Sequence, residues 1–298
     1  MNFIGRGTAS ILTTYLLWGI LPVFWKSIAK VPALEILSHR MLWFLLFLLV
    51  LLVWQKKWKW LSVAKENPKT LLPSLCCSVL LGINWYTFIW AVNSGFIVES
   101  SLGYFINPLV TILLGMLFLK EQLRPGQWLA MGISLGGIFH LTFNYGSFPW
   151  IAMILAFTFA FYALLRKTTK IGGLEGLSVE ASVLFIPSLV YLVFLEQEGL
   201  ATFGHVTYRT DFLLMATGIV TAVPLLFFSY GAKRVSMTMM GMLQYITPTM
   251  HFLLGVFLYK ESLTLTRLIG FLAIWTALIV YSAEGYFWAN KIRKQKAM

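Results

Sequence analysis

Five ionisable residues fall where the surrounding sequence leaves them little water. Glu35, His39 and Arg40 precede the uncharged apolar run Met41 to Trp54, Glu99 opens another apolar run, and Glu180 precedes the uncharged run Ala181 to Leu195. Ionisable groups at membrane depth are costly and mark ion or solute paths by default. As a helix, the run from Met41 to Trp54 covers roughly 21 Å, short of the hydrocarbon thickness, which places His39 and Arg40 within the outer part of a membrane. Glu35 and His39 are spaced i, i+4 and share a helix face. Glu35, His39, Arg40 and Glu99 are therefore expected to form a polar cluster at the external mouth, as a gate or a proton site. The competing reading has Arg40 snorkelling and Glu35 solvated at the interface, and for Glu35 that reading is preferred.

Aromatic residues suit the walls of a solute cavity, because rings offer stacking area with an N–H or O–H handle. Trp18, Trp85, Tyr86, Trp90, Tyr104 and Tyr245 lie within apolar runs rather than only at their ends. Each taken alone is more often packing or a lipid anchor. The amides Asn84, Asn107 and Gln244 could bond a solute or a neighbouring helix. Pro108 and Pro248 each free a backbone carbonyl and suit hinges in moving helices. No catalytic residues are assigned and no enzymatic activity is expected: the sequence holds no P-loop, Rossmann glycine pattern, HExxH or nucleophile elbow. Its two cysteines, Cys76 and Cys77, are adjacent, and no metal-ligand spacing surrounds them, so neither metal nor cofactor is expected.

The elements that position these residues follow from composition. Of 298 residues 59% are hydrophobic and 11% charged, more apolar surface than a soluble fold of this length can hide. Transmembrane helices are expected near 8–27, 34–54, 71–93, 98–119, 126–144, 148–165, 174–196, 211–232, 235–259 and 266–288, with a tight turn from Asn144 to Phe148. The formal charge of +12 sits in short loops between apolar runs, so it orients a membrane protein rather than binding nucleic acid. Most Lys and Arg, among them Lys56, Lys59, Lys120, Arg166 and Lys233, fall on one side, which places both termini in the cytoplasm.

Sliding the chain 140 positions along itself aligns it without gaps. Ile106/Ile246, Pro108/Pro248, Gly115/Gly255, Lys120/Lys260, Glu121/Glu261 and Leu123/Leu263 match, as do Glu35/Glu175 and Ser38/Ser178, while Lys26 meets Arg166 and Arg40 meets Glu180. The expected fold is thus an all-α integral membrane protein of ten transmembrane helices in two inverted five-helix repeats, residues 1–145 and 146–298. Inverted repeats are characteristic of secondary transporters that open a central site to each side in turn. Arg40 and Glu180 would then stand near opposite mouths. Lys120-Glu121 and Lys260-Glu261 read as structural ion pairs or topology markers, and His251 as a hydrogen-bonded core histidine.

Several stretches resemble a known family. NWYTFIWAVNSGFIVESSLGYFINPLVTILLGMLFLKEQLRPGQWLA (Asn84 to Ala130), WGILPVFWK, VPALEILSHR, GIVTAVPLLFFSYGAKR and QYITPTMHFLLGVFLYKE are similar to the RarD-type branch of the drug/metabolite transporter superfamily. The resemblance implies two EamA-type repeats, a central cavity and export of small metabolites or drugs across a bacterial inner membrane. The function expected is secondary active export of a small-molecule substrate by a monomer in the lipid bilayer, with protons as a candidate coupling ion. A membrane-embedded enzyme, or a non-transporting receptor or scaffold, is the alternative.

Overall fold

The computed structural model describes residues 5–58, 61, 65–143, 148–260 and 264–297. Every regular element among them is helical. In chain order they are α1 (Arg6–Ser27), α2 (Ala33–Trp54), α3 (Leu72–Asn93), α4 (Ile97–Leu119), α5 (Pro125–Phe143) and α6 (Trp150–Thr168). There follow α7 (Gly173–Gln197), α8 (Tyr208–Ala232), α9 (Met237–Gln244), α10 (Ile246–Leu253) and α11 (Leu265–Ala297). A 3₁₀ turn at Pro68–Leu71 leads into α3, and a π turn at Leu254–Leu258 follows α10. Among the described residues eight segments are long and apolar enough to cross a membrane: α1, α2, Pro68–Asn93, Glu99–Leu119, α6, α7, α8 and Leu268–Trp288. Their outer faces expose large apolar side chains such as Val50, Val190 and Ile279. Such a surface needs lipid as its solvent, so the chain is a multi-pass membrane protein.

Local chemistry sets several helix ends. Pro32 precedes α2, Pro73 sits in the first turn of α3 and Pro125 opens α5, positions where the missing N–H costs no helical bond. Thr207 and Ser236 cap α8 and α9 by accepting from Thr210 N and Met239 N, both at 3.1 Å. Lys120 and Lys260, equivalent under the repeat, both adopt left-handed backbone conformations, with φ of 54° and 57°. Glu121 does not pair with Lys120. It accepts from Met237 N at 2.7 Å and from Thr238 N and Oγ1 at 2.9 and 2.8 Å, holding the start of α9. The Asn144–Gly146 turn, Lys59, Glu261 and Leu263 lie outside the described residues.

The expected continuous helix over 235–259 is divided at Tyr245 into α9 and α10. Pro248 has no N–H to offer the carbonyl of Gln244, four residues back, and the helix breaks beside that carbonyl. Pro108 lies inside an unbroken α4. The same residue therefore has different outcomes in the two halves.

Each principal packing joins a helix before residue 144 to one after residue 147: α4 with α6, α5 with α11, α2 with α7 and α8, α3 with α6, α1 with α8, α9 with α4 and α10 with α1. Helix α4 runs parallel to α6, with Glu99 at Ile151 and Asn107 Nδ2 donating to Ala156 O at 2.6 Å. Helix α1 runs parallel to α9 and α10, from Thr8 at Met239 to Thr247 Oγ1 donating to Tyr15 O at 3.0 Å. One core cluster gathers Ile11, Tyr15, Phe44, Leu81, Ala160 and Phe228, and a second gathers Phe105, Ile138, Tyr245 and Phe271. At Gly218 on α8, any Cβ would collide with the Trp43 backbone, so α2 and α8 approach as only small residues permit.

Candidate functional site

Successive residues of a helix point about 100° apart, so Arg40 cannot share the face of Glu35 and His39. Those two turn to the connection between α7 and α8. Thr202 N, Thr202 Oγ1 and Phe203 N donate to Glu35 at 2.6, 2.7 and 3.3 Å. His39 Nε2 stands 3.9 Å from Glu35, and its ring lies 4.9 Å from that of Phe203.

Arg40 turns inward instead. Its Nε donates to Thr221 Oγ1 at 2.7 Å. Thr221 is buried near the middle of α8, so the guanidinium reaches deep between the helices. The guanidinium carbon lies 4.1 Å from the Trp85 ring centroid and 5.5 Å from that of Trp25. Tyr104 is close enough to interact electrostatically with Arg40, and its ring meets His251 at 6.1 Å and Phe88 at 6.0 Å, both edge-on. Among the described residues no carboxylate pairs with Arg40, and its two terminal nitrogens make no hydrogen bond to protein.

Glu180, the residue equivalent to Arg40 in the second half, is sealed. Arg166 Nη1 lies 3.1 Å from Glu180 Oε1, with side-chain exposures of 1% and 0%. Arg166 also donates from Nε and Nη2 to Ser229 Oγ at 3.2 and 2.7 Å, and from Nη2 to Gly173 O at 3.0 Å. Tyr162 Oη donates to Glu180 Oε2 at 3.3 Å. This knot ties α6, α7 and α8 at the end of the bundle where Thr169–Gly172 connects α6 to α7. Gly176 makes room for it, since a Cβ there would meet Arg166 Nη1 and lie 3.2 Å from Ser74 Oγ. At the same end Lys167 donates to Val235 O and Lys233 to Ile171 O, the latter at 2.5 Å. Burial pulls the Lys233 ammonium below the ordinary lysine range.

The other candidates distribute around these two centres. Glu99 accepts from Ile151 N at 2.7 Å at the start of α6, so Glu35 with His39, Arg40, and Glu99 occupy three separate places rather than one cluster. Trp18 packs on Tyr15, Phe159 and Phe228 at 5.7, 5.5 and 5.6 Å, and its carbonyl lies 3.2 Å from His251 Nε2. Asn84 Nδ2 donates to Leu155 O and Thr158 Oγ1, both at 2.9 Å, tying α3 to α6 much as Asn107 ties α4. Gln244 is buried beside the break between α9 and α10, and Tyr245 is fully buried in the second core cluster. Tyr86 is exposed, and Trp90 packs on Phe96 and Trp150 near the end of α3.

Sequence reasoning left out Trp25 and Thr221 around Arg40, and Tyr162, Arg166 and Ser229 around Glu180. Arg166 counted only as a loop charge. Its signal was available: it precedes Glu180 across a short connection between antiparallel helices, so a basic and an acidic residue had to pass near each other.

The EamA-like transporter family matches residues 5–143 and again residues 148–283. The chain is 42% identical to Protein RarD of Streptomyces exfoliatus over 280 residues, covering 94% of this chain and 89% of that protein. It is 39% identical to the uncharacterized transporter YojE of Bacillus subtilis, covering 95% of each. A solved crystal structure matches with a TM-score of 0.68 at 16% identity, over 92% of this chain and 96% of that one, which establishes a shared fold.

Proposed function

The chain belongs to the EamA-like transporter family, and on that premise we propose that it is a secondary active exporter of small organic metabolites or drugs that works by alternating access. The observation carrying this reading is the unlike condition of two residues that the repeat equates. Glu180 is fully buried and ion-paired, whereas Arg40 is only partly buried and has no acid partner among the described residues. A two-ended carrier at rest has one end closed and the other accessible.

The same reading takes the chain as ten spans in two inverted repeats, residues 1–145 and 146–298. The packing supports it, because exchanging the halves exchanges the contacts. Helices α4 and α6 become the ninth span and α1, and α3 with α6 becomes α8 with α1. The bond from Asn107 to Ala156 O has a near counterpart in the bond from Thr247 to Tyr15 O. The basic end, holding the Arg166–Glu180 knot, is taken as cytoplasmic from the Lys and Arg bias, in a cell membrane with both termini inside. In that orientation the inner end is closed and the protein is a monomeric carrier facing outward.

Glu180 is the carboxylate best placed for proton coupling. A proton on it would cancel the attraction that holds Arg166 and loosen the three helices of the knot. Purified protein in liposomes loaded with a panel of small metabolites and drugs tests the proposal. Saturable efflux that rises with an imposed pH gradient is expected, and Glu180→Gln should remove the gradient dependence. Absence of saturable flux for every compound overturns it.

A further inference from the structure

Among the described residues three carboxylates are buried, and each is answered from within the chain: Glu35 by Thr202 and Phe203, Glu99 by the Ile151 N–H, and Glu180 by Arg166. Arg40 is the exception. Its guanidinium reaches the level of Thr221 in mid-helix, carries a full charge, and has no acid partner among the described residues. Its surroundings are organised nonetheless. Trp85 and Trp25 support the guanidinium at 4.1 and 5.5 Å, and Thr221 fixes Nε at 2.7 Å. With Nε held, the two terminal nitrogens remain for a further acceptor.

We propose that Arg40 is the anion-binding centre of the transport site and that the substrates are small organic carboxylates with an apolar or aromatic body. The inference rests on the transport reading of the same site and names its substrate class. A guanidinium presents paired N–H donors that match a carboxylate in two parallel hydrogen bonds, a geometry that a lone ammonium does not offer. The flanking rings of Trp85 and Tyr104 accept an apolar body, and Tyr104 and Thr221 add hydroxyls. An amine would meet a like charge at Arg40, and a neutral amide would leave that charge unanswered. The charge asymmetry of the repeat fits the same role. Where the second half closes Arg166 on Glu180, the first half has Lys26 and Arg40, and Lys26 lies over the Tyr259 ring at 3.5 Å.

The test uses three probes of one shape, phenylacetate, phenylacetamide and phenethylamine, with the full-length protein in phosphatidylcholine vesicles. Competition against labelled phenylacetate should show the carboxylate binding at least tenfold more tightly than the amide or amine. Arg40→Gln should abolish that preference and Arg40→Lys should keep part of it, while Arg209→Gln, an exposed cation elsewhere, should leave it intact. Equal binding of the three probes, or a preference that survives Arg40→Gln, overturns the proposal. So does loss of the preference when phosphatidylglycerol is added, which would give Arg40 to a lipid phosphate. Flux of the same probes separates the two conclusions. Saturable transport of the amide or amine without a carboxylate preference sinks the anion centre and leaves the transporter. Carboxylate-selective binding with no flux of any probe does the reverse.

Discussion

At the scale of single residues, the Arg166–Glu180 pair has the largest energetic consequences. Removing one partner of a buried pair leaves the other charge uncompensated, which typically costs about 3–5 kcal/mol, while replacing both by apolar residues is often neutral. Glu180→Leu is therefore expected to destabilise the protein by on the order of 3 kcal/mol in denaturant unfolding in detergent. Adding Arg166→Leu should restore most of that loss without restoring flux. Recovery of transport along with stability would make the pair structural filler rather than a moving seal. The bonds from Asn107 and Thr247 belong to a gentler class. Interhelical hydrogen bonds in membranes average about 0.6 kcal/mol, so Asn107→Leu or Thr247→Val should each lower stability by roughly that amount in the same assay. The ionisable residues themselves were legible in the sequence, because a charge before a long apolar run is conspicuous. Their partners were not. Helical periodicity alone parts Arg40 from Glu35 and His39, but that it meets Thr221 depends on which helix packs against that side of α2, and no local pattern encodes that.

Among the elements, the ends and the breaks hold most of what hydropathy could not show. The helices up to α8 lie close to where apolar length places them, since a bilayer demands that length and the helix supplies a fixed rise. The stretch over 235–259 is different because Pro248 removes one hydrogen bond at a defined carbonyl, and a sliding average of apolarity does not register a single bond. Lys120 holds a left-handed conformation at the end of α4 that costs a non-glycine residue roughly 1 kcal/mol. Lys120→Gly should accordingly raise the unfolding midpoint in detergent, by up to about 1 kcal/mol in stability. A lower midpoint would mean that the lysine side chain contributes more than its backbone costs. Close approach makes the opposite prediction at Gly218. A leucine there would have to displace the Trp43 backbone, and overpacking of this kind costs about 1–3 kcal/mol. Gly218→Leu is expected to lower both stability and flux, with Gly218→Ala intermediate.

Across the whole molecule, the two ends make a testable contrast. Tyr104 lies beside Arg40 and is 38% exposed, and Ser229 lies inside the sealed knot. With Cys76 and Cys77 replaced by alanine, Tyr104→Cys should react with a membrane-impermeant maleimide added outside, and Ser229→Cys should resist it from either side. An imposed pH gradient should shift both reactivities in opposite directions. If Ser229→Cys labels as fast as Tyr104→Cys throughout, the two ends do not alternate. This contrast was half visible in the ungapped repeat, which pairs Arg40 with Glu180. That one of them is ion-paired and fully buried while the other is partly buried with no acid partner among the described residues is a property of the assembled conformation and has no counterpart in residue types.

The principal packings all cross the middle of the chain, and this bears on how the protein is made. The first five helices emerge from the ribosome before any of their main neighbours exists. They must wait in the bilayer, with Glu35, Arg40 and Glu99 unanswered, until the remaining helices thread between them. The halves are separate along the chain but interleaved in space, so neither completes its packing without the other.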